Sequence, residues 1–296
     1  MLSQRALTEL KAKGNRRVIV QLPEGLKPRA WEIARELEKA GFEPVVSGDA
    51  CFGACDLVTE EGATTLHIAH SRMLADERVV YEEWPHDVPL DKAVKAALPL
   101  LKEKSVALAT TVQHLHNIKD AVKLLEAAGK SVVLVPRGER CAYDGQVLGC
   151  DFSGAKQAKA DAFLFIGSGR FHPIGLAYYT KRRVVRADPF TGEAEEIDSA
   201  QWEKEKALRM TKAMKAKRFG VVVSTKPGQR NEKAAKEVVT KLRRKGFDAV
   251  IILSNFISPD ALTNLALDAY VITACPRIVI DDWKNYPMPI LLPDEV

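Results

Sequence analysis

Five cysteines give this 296-residue chain its most distinctive chemistry: Cys51, Cys55, Cys141, Cys150 and Cys275. An odd number of cysteines in a chain of this size does not read as a disulfide framework. It reads as buried, catalytic or metal-binding thiols in a reducing compartment. Cys51 and Cys55 form a C-x3-C loop. The C-x3-C-x2-C cluster motif of ordinary radical enzymes would need a further cysteine where Val58 stands, so that motif is absent. A closed zinc site would want four thiolate or imidazole ligands, and no paired C-x2-C or histidine spacing supplies them. Cys150 follows Gly149, and a glycine beside a ligand cysteine lets the backbone wrap closely around a bulky cluster. Cys275 precedes Pro276 and Arg277. The proline fixes the turn after the thiol, and the arginine is suited to lowering a thiol pKa or holding a carboxylate. Any one such cysteine is more often a small buried residue than a ligand. Their matched positions in a repeat raise the odds.

Three short segments can be laid over one another: 65–72 (TLHIAHSR), 163–170 (FLFIGSGR) and 270–277 (YVITACPR). Each is an apolar strand that ends in a small-residue turn and an arginine. Each closes a stretch that opens with another strand and a helix. In the first stretch, strand Arg17–Leu22 meets the turn Pro23-Glu24-Gly25. A helix follows with Trp31, Ala34, Leu37 and Glu38 at helical spacing and a stop at Gly41, then strand Glu43–Ser47, the cysteine loop 48–55 and a short helix. The second stretch has strand Ser105–Thr110, helix Ile118–Ala128 stopped by Gly129, strand Ser131–Val135 and the loop Arg137–Cys150. The third has strand Phe219–Ser224, helix Glu232–Lys245 stopped by Gly246, and strand Ala249–Leu253.

This alternation implies an α/β fold: three homologous βαβ-containing domains with parallel sheets and right-handed crossovers around a central cluster site. The expected units are 1–100 with Cys55, 101–200 with Cys150, and 201–296 with Cys275. Ligands of open α/β sheets lie beyond the carboxyl ends of the strands, where these three cysteines are expected. Three thiolates meeting there suggest a metal cluster with one position left open. A 4Fe–4S cluster has four irons to ligate, so three protein thiolates leave one iron free for a substrate.

The remaining composition is ordinary, with 46% hydrophobic and 28% charged residues. No apolar run approaches the roughly 20 residues needed to span a bilayer, and the N-terminus lacks a secretory signal, so the expected location is cytoplasmic. The net charge of +5 is spread over mixed-sign helices. The densest basic stretch, Lys204–Arg218, reads as a solvated helix linking two domains. No aromatic-basic interleaving supports nucleic-acid binding.

The sequence resembles the archaeal diphthamide synthase family of the Dph2 type over essentially its whole length. The motifs that carry the resemblance are 48–56 (GDACFGACD), 144–150 (DGQVLGC) and 274–277 (ACPR). The resemblance implies an unusual radical S-adenosylmethionine enzyme in which each of three domains gives one cysteine to a 4Fe–4S cluster. Matched motif by motif, those are Cys55, Cys150 and Cys275, with Cys51 and Cys141 structural. It implies transfer of a 3-amino-3-carboxypropyl group from S-adenosylmethionine to a histidine of translation elongation factor 2, the first step of diphthamide formation. A homodimer, an electron donor and the elongation factor are the implied partners. The chain ends soon after Leu292, earlier than the family pattern, which bears on dimer contacts.

Candidates to hold the cosubstrate are Gln21, Glu24 and Gly25 after the first strand, and Gly167, Ser168, Gly169 and His172 after the matching strand of the second unit. Arg277 is a candidate partner for the methionine carboxylate. For each of these, a tight turn or a hydrogen-bonded loop residue is the plainer reading. His114 and His116 lie at a strand end with no role assigned. Two rival readings share the architecture: a quinolinate-synthase-like 4Fe–4S dehydratase, and a non-catalytic cluster-bearing partner subunit. A structural zinc protein is a more distant third.

Overall fold

The computed structural model describes the backbone of residues 1–296 and every side chain except that of Ser199. The first unit begins with α1 (Gln4–Lys13), whose N-cap Ser3 accepts the Ala6 N–H. It continues through β1 (Arg17–Gln21), α2 (Ala30–Lys39), β2 (Glu43–Val46), β3 (Thr64–Ile68) and β4 (Val79–Glu82). These strands form a wholly parallel sheet of order β2-β1-β3-β4. Every residue of β3 is buried, whereas the edge strand β2 is mostly exposed. The near-continuous apolar run of the central strand follows from being covered on both faces.

The second unit is built from α3 (Asp91–Ala97), β5 (Ser105–Thr110), α4 (Ile118–Ala127), β6 (Ser131–Leu134), α5 (Ser153–Gln157), β7 (Ala162–Ile166), α6 (Phe171–Thr180), β8 (Arg183–Asp188) and β9 (Glu193–Glu196). Its sheet order is β6-β5-β7-β8-β9, parallel except for β9, which pairs antiparallel with β8. The helix α7 (Ser199–Ala213) leads to the third unit: β10 (Arg218–Ser224), α8 (Glu232–Arg244), β11 (Asp248–Ser254), α9 (Pro259–Thr263), β12 (Ala269–Ile272), α10 (Pro276–Ile280) and β13 (Ile290–Leu291). Its parallel sheet has the order β11-β10-β12-β13. The same neighbour order thus recurs three times, with the first strand of each unit flanked by its second and third. Repetition extends to the helix stops, where Gly41, Gly129 and Gly246 take φ of +92°, +81° and +85°.

The cores follow the sheets. Val18, Val20, Leu37 and Leu66 pack together in the first unit. Leu108, Leu125, Leu164 and Val185 pack on one face of the second sheet, and Phe163, Phe165 and Leu176 on the other. Val221, Val223, Leu242 and Val271 fill one face of the third. Full burial of one such side chain contributes about 1.5–3 kcal/mol.

Four expectations change. The buried face of α2 is Ile33 and Leu37, while Trp31 is 75% exposed. The run 31–38 offers more than one helical stripe, and contact with β1 and β3 selects the aliphatic one. No helix forms between Cys55 and β3; that stretch is loop and turns, held where Thr65 Oγ1 donates to Val58 O at 2.6 Å. Residues 90–101 belong with the second unit rather than the first, since Leu90, Ala93, Val94, Ala97 and Leu101 join the core of Leu108 and Leu164. The basic stretch at 204–218 is not simply solvated. Arg209 in α7 is fully buried and its Nη2 meets Glu295 Oε1 at 2.5 Å, tying the helix to the chain's last turn.

Among the described residues, no helix is long and apolar enough to cross a membrane.

Candidate functional site

The carboxyl ends of the central strands open onto one cavity of about 830 Å³. Cys55, Cys150 and Cys275 all line it. Each arrives on a different unit. Cys55 lies in the loop between β2 and β3, Cys150 in the loop before α5, and Cys275 is the residue that precedes α10. The fold places Cys150 by extending the end of β5. Thr110 N–H donates to Gly145 O at 2.8 Å and Val147 N–H donates to Thr110 O at 2.9 Å. Gly149 leaves room for Phe171, because an added Cβ would lie 1.8 Å from the ring.

Contacts between units hold the cysteine loops against one another. Gly228 N–H donates to Cys55 O at 2.9 Å, and Gln229 Nε2 donates to Cys55 Sγ at 3.2 Å. Gly228 is packed so closely that a Cβ there would meet Cys55 Cα at 2.5 Å. From the second unit, an Arg140 guanidinium N–H donates to Gly228 O. Lys226 Nζ pairs with Asp56 Oδ2 at 2.5 Å, both side chains buried. Gln146 Nε2 donates to Ser71 Oγ at 2.6 Å, and Gln113 Nε2 donates to Ala69 O at 2.6 Å, joining the second unit to the first.

At the cavity wall Cys150 is exposed and Cys55 and Cys275 are half-buried, yet each thiol has protein packed around most of its surroundings. Burial pushes Cys275 up to about 12, and the nearby Cys55 and Cys150 push it the same way. Burial also raises Cys55 and Cys150, against a lowering by the Gln229 hydrogen bond at Cys55 and by the Arg140 charge at Cys150. Without a metal, therefore, all three are neutral thiols near pH 7, and a metal or cluster would displace their protons on binding. Arg277 does not overcome this burial at Cys275; its Nε is engaged by Asp281 Oδ2 at 2.8 Å. Cys141 is buried away from the cavity wall, its thiol pushed up to about 12 by burial and then by Asp151. Cys51 does line the cavity and is likewise raised to about 12, by burial and then by Asp56.

Of the other candidates, Glu24, His172 and Arg277 line the cavity. Burial, and then the Arg277 charge, lower His172 to about 4, so its imidazole is neutral. Gln21, Gly25, Gly167, Ser168 and Gly169 are not brought to the cavity wall. Gln21 is only 1% exposed, with its amide directed to the Asp56 carbonyl, the Val58 N–H and His67. Ser168 Oγ donates to Asp188 Oδ1 at 3.0 Å, on the β8 side of its loop. Sequence reasoning missed Lys226, Gln229 and Arg140. A signal existed for the first two. The stretch 225–229 follows β10 as Pro23-Glu24-Gly25 follows β1, so repeat symmetry marks it as a cavity loop. Arg140 is one of several charges in the loop 137–150, beside Arg137, Glu139 and Asp144, with nothing local to mark it.

Comparison with known proteins bears on what such a site is. Residues 22–296 match the family model described as "Putative diphthamide synthesis protein". The 2-(3-amino-3-carboxypropyl)histidine synthase of Pyrococcus horikoshii is 36% identical, with 98% of this chain and 87% of that protein covered. The protein of the same name from Methanocaldococcus jannaschii is 31% identical, over 96% of this chain and 84% of the relative. The crystal structure of Dph2 from Pyrococcus horikoshii with a 4Fe–4S cluster superposes with a TM-score of 0.92 at 34% identity, covering 100% of this chain and 90% of that one. The α/β architecture is therefore shared across the whole chain, and the chain belongs to the diphthamide synthesis protein family.

Proposed function

We propose that this chain is a 2-(3-amino-3-carboxypropyl)histidine synthase that holds a 4Fe–4S cluster through Cys55, Cys150 and Cys275. The observation that carries the reading is the meeting of these three cysteines, one from each sheet-bearing unit, in a single cavity. The donor set suits an iron–sulfur cluster: three thiols and a volume of about 830 Å³ leave space for a cosubstrate beside it. The relatives named for this activity, and the cluster-bearing Dph2 structure, support the same reading.

When bound, a reduced cluster would supply one electron to the sulfonium of S-adenosylmethionine, so that methylthioadenosine leaves and the aminocarboxypropyl arm departs as a carbon radical; its addition to the acceptor histidine is completed by loss of one electron and one proton from the ring. The protein's own part is to bind, orient and exclude water. Arg277 offers a guanidinium on the cavity wall for the methionine carboxylate, in exchange for its contact with Asp281. Phe171 and Tyr286 give the wall apolar surface that shields the reacting carbon from water. Glu24 and the neutral His172 supply polar contacts for the amino-acid or nucleoside portion. The accepting group is a histidine of translation elongation factor 2, the electron comes from a separate donor, and the working form is a homodimer. The three-unit division of the chain serves this chemistry by giving each cysteine its own rigid sheet.

Anaerobic reconstitution, reduction with S-adenosylmethionine and the elongation factor, and mass spectrometry of the products test the reading. It requires methylthioadenosine together with a histidine carrying the added aminocarboxypropyl mass, formed by this chain without a second subunit. Products of 5′-deoxyadenosine and methionine would contradict the bond choice. Cleavage only after a different subunit is added would make the chain a supporting partner.

A further inference from the structure

On the wall of the same cavity lies a second set of side chains of metal-ligating type, apart from the three cysteines assigned to the cluster. His67 is the fourth of the five buried residues of β3 and is 0% exposed. Its Nδ1 is 2.9 Å from Gln21 Oε1, and its Nε2 is 3.0 Å from His70 Nδ1. The Gln21 amide is oriented by other partners: its Nε2 donates to the Asp56 carbonyl, and its Oε1 accepts the Val58 N–H at 3.3 Å. An oxygen therefore faces His67, so Nδ1 carries the proton and Nε2 presents a lone pair. Cys51 completes the group. One ligand atom from each of Cys51, His67 and His70 lies within 4.8 Å of the other two.

We infer that Cys51, His67 and His70 form a second metal site, for a zinc-class divalent cation, with its fourth position open to the cavity. One sulfur and two imidazole nitrogens are the donor set that borderline cations prefer. In a tetrahedron with zinc–nitrogen bonds of about 2.0–2.1 Å the two nitrogens lie about 3.3–3.4 Å apart, so the 3.0 Å between the rings must open by a few tenths of an ångström as a cation replaces their hydrogen bond. Gln21 acts as the outer partner that fixes the tautomer and ring direction of a ligating histidine. Cys51 and His70 both line the cavity while His67 is sealed behind them, so the free position is on the cavity side. Three protein ligands and one open position is the pattern of zinc sites that bind water or substrate.

Binding balances simply. The cation takes the lone pairs of His67 Nε2 and His70 Nδ1; the Nδ1 proton that bridged the two rings moves to Nε2 of His70, and the Cys51 thiol releases its proton to solvent. No electron is exchanged. Cys51 is not among the three thiols assigned to the cluster, so the two sites share a wall but no ligand. The inference does not depend on the transferase reading.

The test uses the full chain with Cys55, Cys150 and Cys275 each changed to serine, so that no cluster assembles, and Co2+ as the probe. The expected result is one equivalent of bound Co2+ with tetrahedral ligand-field bands and a thiolate charge-transfer band. Adding Cys51→Ser removes the charge-transfer band, and adding His70→Gln abolishes tight binding. Gln21→Leu weakens Zn2+ competition by about 10–100-fold, and Gln21→Glu, which keeps an oxygen on His67, restores much of it. Binding that is substoichiometric, or that survives Cys51→Ser and His70→Gln unchanged, would overturn the assignment. If the serine background fails to fold by circular dichroism, metal analysis of the intact cluster-loaded chain decides the matter. Zinc must then accompany the iron at one per chain and be lost in His70→Gln while iron stays; no zinc, or zinc insensitive to His70→Gln, rejects the site.

Discussion

Gln229 shows how much of this site depends on a neighbour from another unit. Its amide donates to Cys55 Sγ at 3.2 Å, and as a thiolate ligand that sulfur would carry more negative charge and hold the bond more tightly. Hydrogen bonds to ligand sulfurs raise a cluster's reduction potential. Gln229→Leu is therefore expected to keep iron and sulfide while moving the potential tens of millivolts more negative in a redox titration. An unchanged potential would remove Gln229 from this positioning role. Gly149 makes a different demand, for space. The Phe171 ring occupies the place of a Cβ, so Gly149→Ala must push the ring or the loop that carries Cys150. Overpacking of this kind costs about 1–3 kcal/mol, to be read from a lowered urea midpoint together with weaker cluster retention. A glycine next to Cys150 is visible in the sequence, and it suggests close backbone approach; the side chain that needs the gap lies 22 residues on and could only be found in three dimensions.

The elements were legible where periodicity and breakers agree. Strand β5 is the expected Ser105–Thr110, and α4 and α8 end one residue before the sequence reading placed their ends. The antiparallel β9 and the two-residue β13 carry too few residues to show a period and went unread. Helix α7 was legible as a helix but not as an anchor, because a charge run hides its single buried member. Arg209 is 0% exposed, paired with Glu295 and lying 4.3 Å from the Trp202 ring centroid. Removing it leaves Glu295 buried and unpaired, so Arg209→Met is expected to cost about 3–5 kcal/mol in chemical denaturation. A loss under 1 kcal/mol, roughly that of a surface pair, would show the pair to be dispensable. His114, in the turn after β5, is a buried titratable group. It is 3% exposed, packs against His86 and Phe190, and is lowered to about 4 by burial and then by His86. Its folded pKa lies below the unfolded value of about 6.5, so the unfolded chain takes up the proton first. Stability is then full above about pH 6.5 and lost as pH falls toward 4, at up to about 1.4 kcal/mol per pH unit. Between pH 7 and 5 the wild type should lose more stability than His114→Gln; equal losses would contradict the assignment.

At the scale of the molecule, the three repeats explain why a chain with few recognisable motifs can build one site. Each sheet reaches the same cavity through segments that follow its strands, and each unit supplies one cysteine there. The repeat and the order of the cysteine loops could be read from the sequence. The contacts that lock the units together could not, because Lys226–Asp56, Arg140–Gly228 and Gln146–Ser71 join residues from different units. The most direct test of convergence is iron and acid-labile sulfide per chain, with electron paramagnetic resonance of the reduced state, for wild type and for Cys55→Ser, Cys150→Ser, Cys275→Ser and Cys141→Ser after identical anaerobic reconstitution. One 4Fe–4S cluster is expected in wild type and Cys141→Ser, with loss or gross destabilisation of it in each of the other three. A full, stable cluster in any one of those three would contradict convergence.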